Sequence, residues 1–377
     1  MKITASKGLT LSAILKECRD RKGVHIAGIV DCASPPVLKD IGALIGQGHL
    51  TPLEGGGLVY ENALTIILGA EIELAGPRGG SAHFLAYVPT LEAMEELSNY
   101  LAKGITNISL SSQRAQFSIE ETFDFVTNKL QGIFLPAHAF TPFKSVYGNC
   151  VERLEELGLN FPALELGLSA DTFLADRLQE LNKISFLSNS DAHSLPKIAR
   201  EYNAFRLAKP DFDHLAKALQ GDNDNHIIAN YGLDPRLGKY HRTYCLECNS
   251  VVQVQPPMLR CLECDTDHVV IGVLDRVTYI ADYEKPIHPP RRPHYIHQVP
   301  LDFIPGVGPK TLEKLLAAFG TEMRILHDAT FEEITMVVGR TIAKRVLAAR
   351  SGQLSMTVGG GGQYGRIHRE VQEGSNH

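Results

Sequence analysis

The chain has 377 residues, 44% of them hydrophobic and 21% charged, with a net charge of −6 at pH 7. That length supports two or three domains around a sizeable core. No apolar run approaches the roughly 18 residues of a membrane span, and the N-terminus lacks the basic-then-apolar order of a secretory signal, so a cytoplasmic monomer with no membrane partner is expected.

Thr10 to Lys22 reads as a helix, with Leu11, Ile14, Leu15 and Cys18 on one face and Gly23 as its stop. His25 to Val30 follows as a strand ending at Asp31, and Cys32-Ala-Ser-Pro-Pro36 breaks it before a helix from about Val37 to Ile45. Leu64 to Ala70 is the next apolar run and closes on Glu71-Ile-Glu73. His83 to Val88 is a strand that begins with a histidine, followed by a helix from Thr90 to Leu101. After a helix at about Ile119 to Leu130, the strand Gly132 to Pro136 leads to His138. Pro162 to Gly167 carries Glu165 and runs into Ser169-Ala-Asp171, a candidate cap for a helix ending near Leu181. Ile184 to Leu187 then opens into Ser188-Asn-Ser-Asp191-Ala-His193. Strands alternating with helices imply parallel βα units, whose active sites gather at the C-terminal ends of the strands.

Asp31, Glu71, His138 and Asp191 therefore sit at strand ends, with His83 and His193 close by. A set of nitrogen and oxygen ligands without thiolate suits two or three divalent ions, Zn, Mn, Fe or Mg. Hydrolysis of a phosphate ester is the reaction class that needs such a site, because the metals activate water and spread the charge on the phosphoryl oxygens. The bland alternative is six unrelated polar residues. The charge distribution favours the site: residues 1–231 carry 27 acidic against 20 basic side chains, which suits a cation-filled mouth and argues against a bare nucleic-acid-binding module there.

Four of the seven cysteines form two knuckles, Cys245-Leu-Glu-Cys248 and Cys261-Leu-Glu-Cys264, separated by twelve residues. That is the spacing of a structural zinc ribbon with all four positions filled by protein; a redox pair is the competing reading. Basic and aromatic residues flank it, from Arg236, Lys239, Tyr240, His241 and Arg242 to Arg291, Arg292 and Tyr295. They suit phosphate contact and base stacking, or else an extended linker. Ile304-Pro-Gly306-Val-Gly308-Pro-Lys310 before an amphipathic helix from Thr311 to Phe319 is a helix-hairpin-helix signature. The glycines let backbone approach a DNA phosphate, the N–H groups at the helix start point at it, and Lys310 adds charge, all blind to base sequence. Val338-Gly-Arg340 to Lys344 reads as a degenerate second copy, and Gly359 to Gly362 as a flexible tail.

The series Asp31, Gly69-Ala-Glu71, His83-Phe-Leu, Pro136-Ala-His138 and Asp191-Ala-His193 resembles the PHP (polymerase and histidinol phosphatase) metallo-phosphoesterases over about residues 1–205. Within them, Leu164-Glu-Leu-Gly-Leu-Ser-Ala-Asp171, Phe186 to Asp191 and the segments that follow are similar to the endonuclease Q family. The resemblance implies an α/β fold: a distorted β/α barrel (1–231), a four-cysteine zinc ribbon with a basic linker (232–300), an all-α helix-hairpin-helix domain (301–350) and a tail (351–377). It implies metal-dependent cleavage of DNA on the 5′ side of deaminated bases or abasic sites, with DNA as partner and other repair or replication proteins as further partners. Ser169 and Asn189 are expected to hydrogen-bond the carbonyl that deamination creates, against helix capping and turn bonds as the plainer roles. The superfamily opens on a His-x-His strand that Met1-Lys-Ile-Thr4 does not carry, and Cys32 rather than a histidine follows Asp31; a start upstream of Met1 is the expectation this raises. An exonuclease or small-molecule phosphatase, and a non-catalytic DNA-binding repair scaffold, are the alternative functions.

Overall fold

The computed structural model describes residues 6–110, 113–251 and 254–371. Its first half is organised by strands buried on both faces. The strand Leu64–Ala75 (β4, after Ile26–Ile29, β1; Leu50–Pro52, β2; and Leu58–Tyr60, β3) is buried along all but its last residue. Its even positions, Ile66, Leu68, Ala70, Ile72 and Leu74, join a large core with Leu11, Leu15, Ile41 and Leu97 of the surrounding helices. Its odd position Ile67 instead meets Leu85, Ile133, Leu135 and Leu187 in a second, inner core. A strand with two covered faces loses the simple apolar–polar alternation and reads as one continuous hydrophobic run.

β4 turns through Gly76 to Gly80 directly into Ser81–Val88 (β5), which pairs with Ile133–Pro136 (β6). The sheet order is β2-β3-β4-β5-β6, antiparallel throughout, with β1 added parallel to β4. The parallel pairing expected from the sequence is thus found, among the described residues, between β1 and β4, between Ala163–Glu165 (β7) and Ser185–Leu187 (β8), and between the later strands His226–Gly232 and His294–His297, not between β4 and β5. The reason is the five-residue connection after β4, which permits a hairpin and is too short for a parallel crossover. Tyr202–Arg206 (β9) and His226–Gly232 (β10) form a further sheet with His294–His297. Asn203 ties it to the end of β8, its Oδ1 accepting from Ser188 N at 2.8 Å and its Nδ2 donating to Ser188 O at 3.1 Å.

The helices differ in extent from expectation. Thr10 caps Leu11–Lys16, which continues as a wider turn over Glu17–Lys22 to Gly23 at φ +76°. The helix foreseen to end near Leu181 is only Thr172–Ala175, capped by Asp171 through Leu174 N, and a separate 3₁₀ turn spans Gln179–Lys183. Beyond the first half, Tyr244–Cys245, Ser250–Val251 and Val269–Val270 make a small three-stranded sheet. The helix Val273–Ile280 then inserts Val273, Val277 and Ile280 into the large core. Four helices, Pro309–Phe319, Glu322–His327, Phe331–Val338 and Arg340–Arg350, surround their own core of Leu315, Ile325, Ile334, Ala343 and Val346.

The glycine tail is a correction. Through Val371 it is a hairpin, Leu354–Thr357 paired with Arg366–Val371, docked on residues 236–239 through Gly359 N to Arg236 O, Gly362 N to Lys239 O and Gly365 N to Leu237 O. A Cβ on Gly359 or Gly365 would collide with neighbouring backbone, so these glycines serve close approach, not flexibility.

The helical unit is held to the first half by a buried ion pair, Lys22 Nζ to Glu322 Oε1 at 2.7 Å, with Lys22 also donating to Pro196 O at 3.0 Å. Both side chains are almost fully buried, so neither charge has water to fall back on. Lys22→Ala should destabilise the protein by roughly 3–5 kcal/mol, and replacing both partners with Met should recover most of that loss in urea unfolding; a single mutant as stable as the double would show that the pair contributes nothing.

Candidate active site

The inner face of β4 carries Glu71 and Glu73, two residues apart and so on the same side of the strand. In the hairpin Glu73 lies opposite His83 and Glu71 opposite Leu85. The turn thus brings the first histidine of β5 back beside the last carboxylates of β4. His83 Nδ1 is 3.3 Å from Glu71 Oε1, and Nε2 is 3.7 Å from Glu73 Oε2. His138, just past β6, completes the group: its Nε2 is 3.3 Å from His83 Nδ1 and 3.8 Å from Glu71 Oε1. Thr141 Oγ1, 3.1 Å from His138 Nδ1, orients the ring. One ligand atom from each of Glu71, His83 and His138 lies within 4.8 Å of the others.

Two further carboxylates share this neighbourhood. Glu165, at the end of β7, accepts from Asn189 Nδ2 at 3.1 Å, and Asn189 Oδ1 accepts from Asn203 at 3.0 Å. Burial pushes the Glu165 carboxyl up to about 7, opposed by His138 and the Asn189 bond and reinforced by the charges of Asp191 and Glu71. Burial pulls His138 down, yet its bond to Glu71 and the charges of Glu165, Glu71 and Asp191 outweigh that and leave it raised. His138 and Asp191 both have left-handed backbones, φ +31° and +39°, a conformation that costs non-glycine residues about 1 kcal/mol or more and clusters at functional sites.

These residues open on a cavity of about 1140 Å³ lined at this end by Asp31, Glu71, Glu165, Asn189 and Asp191. Its lining also takes in residues of β1, β8 and β9 and, from the helical unit, Met323 and His327. Within it Tyr87 lies against Gly28 and Gly69, where a Cβ would stand 3.0 and 2.8 Å from the ring. The donor set suits a divalent cation: all nitrogen and oxygen, rich in carboxylate, with Asp31 Oδ1 and His83 Nε2 buried and without hydrogen-bond partners.

The six expected site residues therefore divide. Glu71, His83 and His138 converge; Asp31 and Asp191 line the same cavity, Asp31 through a bridge to Ala70 that sets it beside Glu71. His193 turns back, its Nδ1 3.0 Å from Asp191 O. Glu73 and Glu165 lie outside that expected set yet join the site, Glu73 beside His83 and Glu165 beside Asn189. The signals were present, a second carboxylate at strand period two and another strand ending in a carboxylate. Asn189 is in the cavity wall, whereas Ser169 is buried against Gly238, where a Cβ would collide with its hydroxyl.

Cys245, Cys248, Cys261 and Cys264 form one cluster, with Sγ separations of 3.6 Å (245–264) and 3.9 Å (248–261). N–H groups of Cys264 and Glu263 lower the Cys261 thiol to about 7, while hydrogen bonds among the other cysteines raise Cys248, and Cys264 is raised as burial and its other cysteine neighbours outweigh the bond to Cys248. Gly306, Gly308 and Lys310 are exposed at the start of Pro309–Phe319, which Gly308 caps, and Gly339 caps Arg340–Arg350 in the same way. Much of the flanking basic charge is used internally: Arg292 pairs with Asp176, Arg242 with Asp275 and Arg236 with Asp234.

Residues 289–321 match a family model described as the IMS family HHH motif. The chain is 45% identical to the uncharacterized protein YqxK of Bacillus subtilis, covering 97% of this chain and 94% of that one. It is 32% identical to the lesion-specific endonuclease Q of Pyrococcus furiosus, whose crystal structure it matches with a TM-score of 0.82 over 97% of this chain and 92% of that one. A crystal structure of endonuclease Q with a 27-mer duplex substrate, an abasic lesion at its active site, gives a TM-score of 0.83 at 31% identity, covering 100% of this chain and 97% of that one.

Glu201, in the cavity wall, accepts from Leu233 N through Oε1 while Oε2 is buried without a partner, and burial raises its carboxyl from 4.5 to about 8. The folded state then binds more protons than the unfolded between those values, so this group's contribution falls as pH rises from about 4.5 to 8. Glu201→Gln keeps the Leu233 bond and should gain roughly 2–4 kcal/mol over the wild type at pH 8.5 but not at pH 4 in urea unfolding. Equal pH slopes for the two proteins would contradict this assignment.

Proposed function

The chain belongs to the endonuclease Q family, and from that premise we propose that it is a metal-dependent DNA repair endonuclease that cuts on the 5′ side of deaminated bases and abasic sites. The observation that carries the reading is the Glu71–His83–His138 group, whose Glu71 lines a large cavity with Asp31, Glu165 and Asp191, in a chain similar over its whole length to endonuclease Q. On this reading residues 1–231 form a distorted β/α barrel, 232–300 a zinc ribbon with its linker, and 301–350 the helix-hairpin-helix unit. The four cysteines hold a structural zinc, all positions being filled by protein.

Asp31, Glu71, His83, His138 and Asp191 are the proposed metal ligands of the mouth, and Glu165 joins them. Divalent ions there would supply a Lewis acid and a hydroxide nucleophile at neutral pH. Thr141 keeps the His138 ring in one orientation. His193, turned onto the Asp191 carbonyl, acts in this reading by shaping that strained turn. Gly306, Gly308 and Lys310 bind DNA phosphates and carry no sequence information, which leaves damage recognition to the cavity.

A duplex can present a base edge to a buried pocket only by extruding the nucleotide. Asn189 is the proposed reader, its amide held between Glu165 and Asn203 so that a second N–H remains to meet a carbonyl. Ser169 is assigned a supporting part, its burial against Gly238 setting the spacing of the barrel and the ribbon linker.

A duplex with one uracil, hypoxanthine or abasic site should be nicked once, beside the lesion, in Mg²⁺, Mn²⁺ or Zn²⁺ and spared in chelator. His138→Ala should lower the rate at least about 10²-fold while DNA affinity is kept; binding without cleavage in every metal would favour a repair scaffold, and release from free 3′ ends an exonuclease. Asn189→Ala should lower uracil cleavage roughly tenfold or more with abasic cleavage much less affected. Unchanged discrimination between uracil and cytosine would remove Asn189 from base recognition.

A further inference from the structure

A nucleotide drawn out of a duplex leaves a gap that closes again unless something occupies it, and an apolar side chain carried on a rigid support is one means of holding it open. Resting on the nuclease reading above, we propose that Phe143 enters the duplex at the site of the extruded nucleotide, with Tyr240 and Lys239 as the surface behind it.

Phe143 is 52% exposed, in the loop that follows His138. An exposed apolar ring on a mobile loop would mean little, but this loop is bound to the Glu71–His83–His138 group at several points. Thr141 Oγ1, already against His138 Nδ1, donates to Phe143 O at 3.0 Å. His83 N donates to Lys144 O at 2.9 Å, and Lys144 Nζ pairs with Glu73 Oε2 at 2.8 Å. Lys144 has a left-handed backbone, φ +52°, a strained conformation for a lysine that the surrounding bonds maintain. The Phe143 backbone is therefore tied to the same two histidines that face the scissile phosphate on this reading.

The ring also has a partner from a distant part of the sequence. Phe143 and Tyr240 meet edge-to-face, with centroids 5.7 Å apart at 74°. The Lys239 ammonium lies 5.0 Å from the Tyr240 centroid, and the Tyr240 carbonyl accepts from Val273 N at 2.8 Å, which holds it to the helix packed in the large core. Two aromatic rings beside an ammonium group suit base faces next to a phosphate backbone. Phe173, 50% exposed, lies against His297 and His288 without comparable ties to the histidine pair, and it serves as a control of equal exposure.

The test compares a uracil paired in a duplex with the same uracil in an unpaired bubble, where no gap needs to be held. Phe143→Ala should lower kcat/KM on the paired substrate at least about tenfold more than on the bubble, with Phe143→Trp restoring the ratio and Phe173→Ala leaving it at the wild-type value. A loop merely misfolded by the substitution would lower both substrates alike, and that result, or no change in either, overturns the proposal. A 2-aminopurine beside the uracil reads the same event without cleavage: binding should raise its fluorescence for the wild type and much less for Phe143→Ala. If the wild type nicks neither substrate, the nuclease reading fails, and the fluorescence decides the wedge alone; a rise independent of Phe143 overturns it.

Discussion

The pairing of Glu73 with His83 is the constraint on which the site depends. In a hairpin, register decides which side chains share a face, and a slip of one residue would send Glu71, Glu73 and His83 to the side occupied by Ile72, Leu74 and Phe84. That side is the large core, where an unpaired carboxylate would cost several kcal/mol. The two-faced burial of β4 therefore both stabilises the fold and specifies the site: even positions are committed to the helices, and only odd positions remain to face the cavity. The same parity holds round the interior, where Leu85, Ile133, Leu187 and Ile67 face inward in step with His83 and Glu71.

Charge is the second constraint. Glu71, Glu165 and Asp191 act on one another through protein, opposed by His138 and by hydrogen bonds such as that from Asn189. Such a group works against folding unless a cation or a proton neutralises it. Burial, reinforced by these charges, raises the Glu165 carboxyl to about 7, and in His138 the bond to Glu71 and the same charges outweigh burial and raise it, while Asp31 Oδ1 and His83 Nε2 stay buried without hydrogen-bond partners. The left-handed His138 and Asp191 add strain at the same place. Local propensity would place neither residue there, so packing beyond the mouth has to hold them.

What was legible in the sequence follows from how local each signal is. The cysteine knuckles and the Pro-Gly-Val-Gly turn are contiguous motifs legible within a few residues: Cys245, Cys248, Cys261 and Cys264 gather in one cluster, and Gly306 to Lys310 fall in the matched helix-hairpin-helix motif. The convergence of Glu71, His83 and His138 was legible as a pattern of strand ends, although the pattern was right for a reason the strand-end rule does not contain. His83 begins a strand, and it reaches the mouth because Gly76 to Gly80 reverses the chain. Glu165 was visible but not distinguishable, since its importance comes from a cross-chain contact with Asn189 and from the charges around it. The docked glycine hairpin was not legible at all: Gly359 and Gly365 are needed where Gly238 and Thr357 backbone approaches, and no local rule separates that use of glycine from a flexible linker.

The distribution of positive charge argues how such a chain could hold a polyanion at all. An acidic mouth repels phosphates, and most arginines nearby are unavailable, Arg292 lying over Phe186 while paired with Asp176, and Arg242 paired with Asp275. Lys144 at the mouth is tied to Glu73, while Lys310 and Arg340 stand exposed at the starts of the two glycine-capped helices, and Lys344 one turn further on. On the proposed reading, attraction at these helix starts adds to that near the mouth, where cations held by the carboxylates would reverse the local field. The Lys22–Glu322 pair gains a mechanical meaning from this, because it joins the unit that carries those cations to the one that carries the carboxylates. Were the two units free to tumble, contacts at Lys310 would concentrate DNA near the protein without aligning any phosphate on His83 and His138. On the proposed reading, holding them together would turn backbone attraction that is indifferent to sequence into a defined distance from the duplex to the cavity.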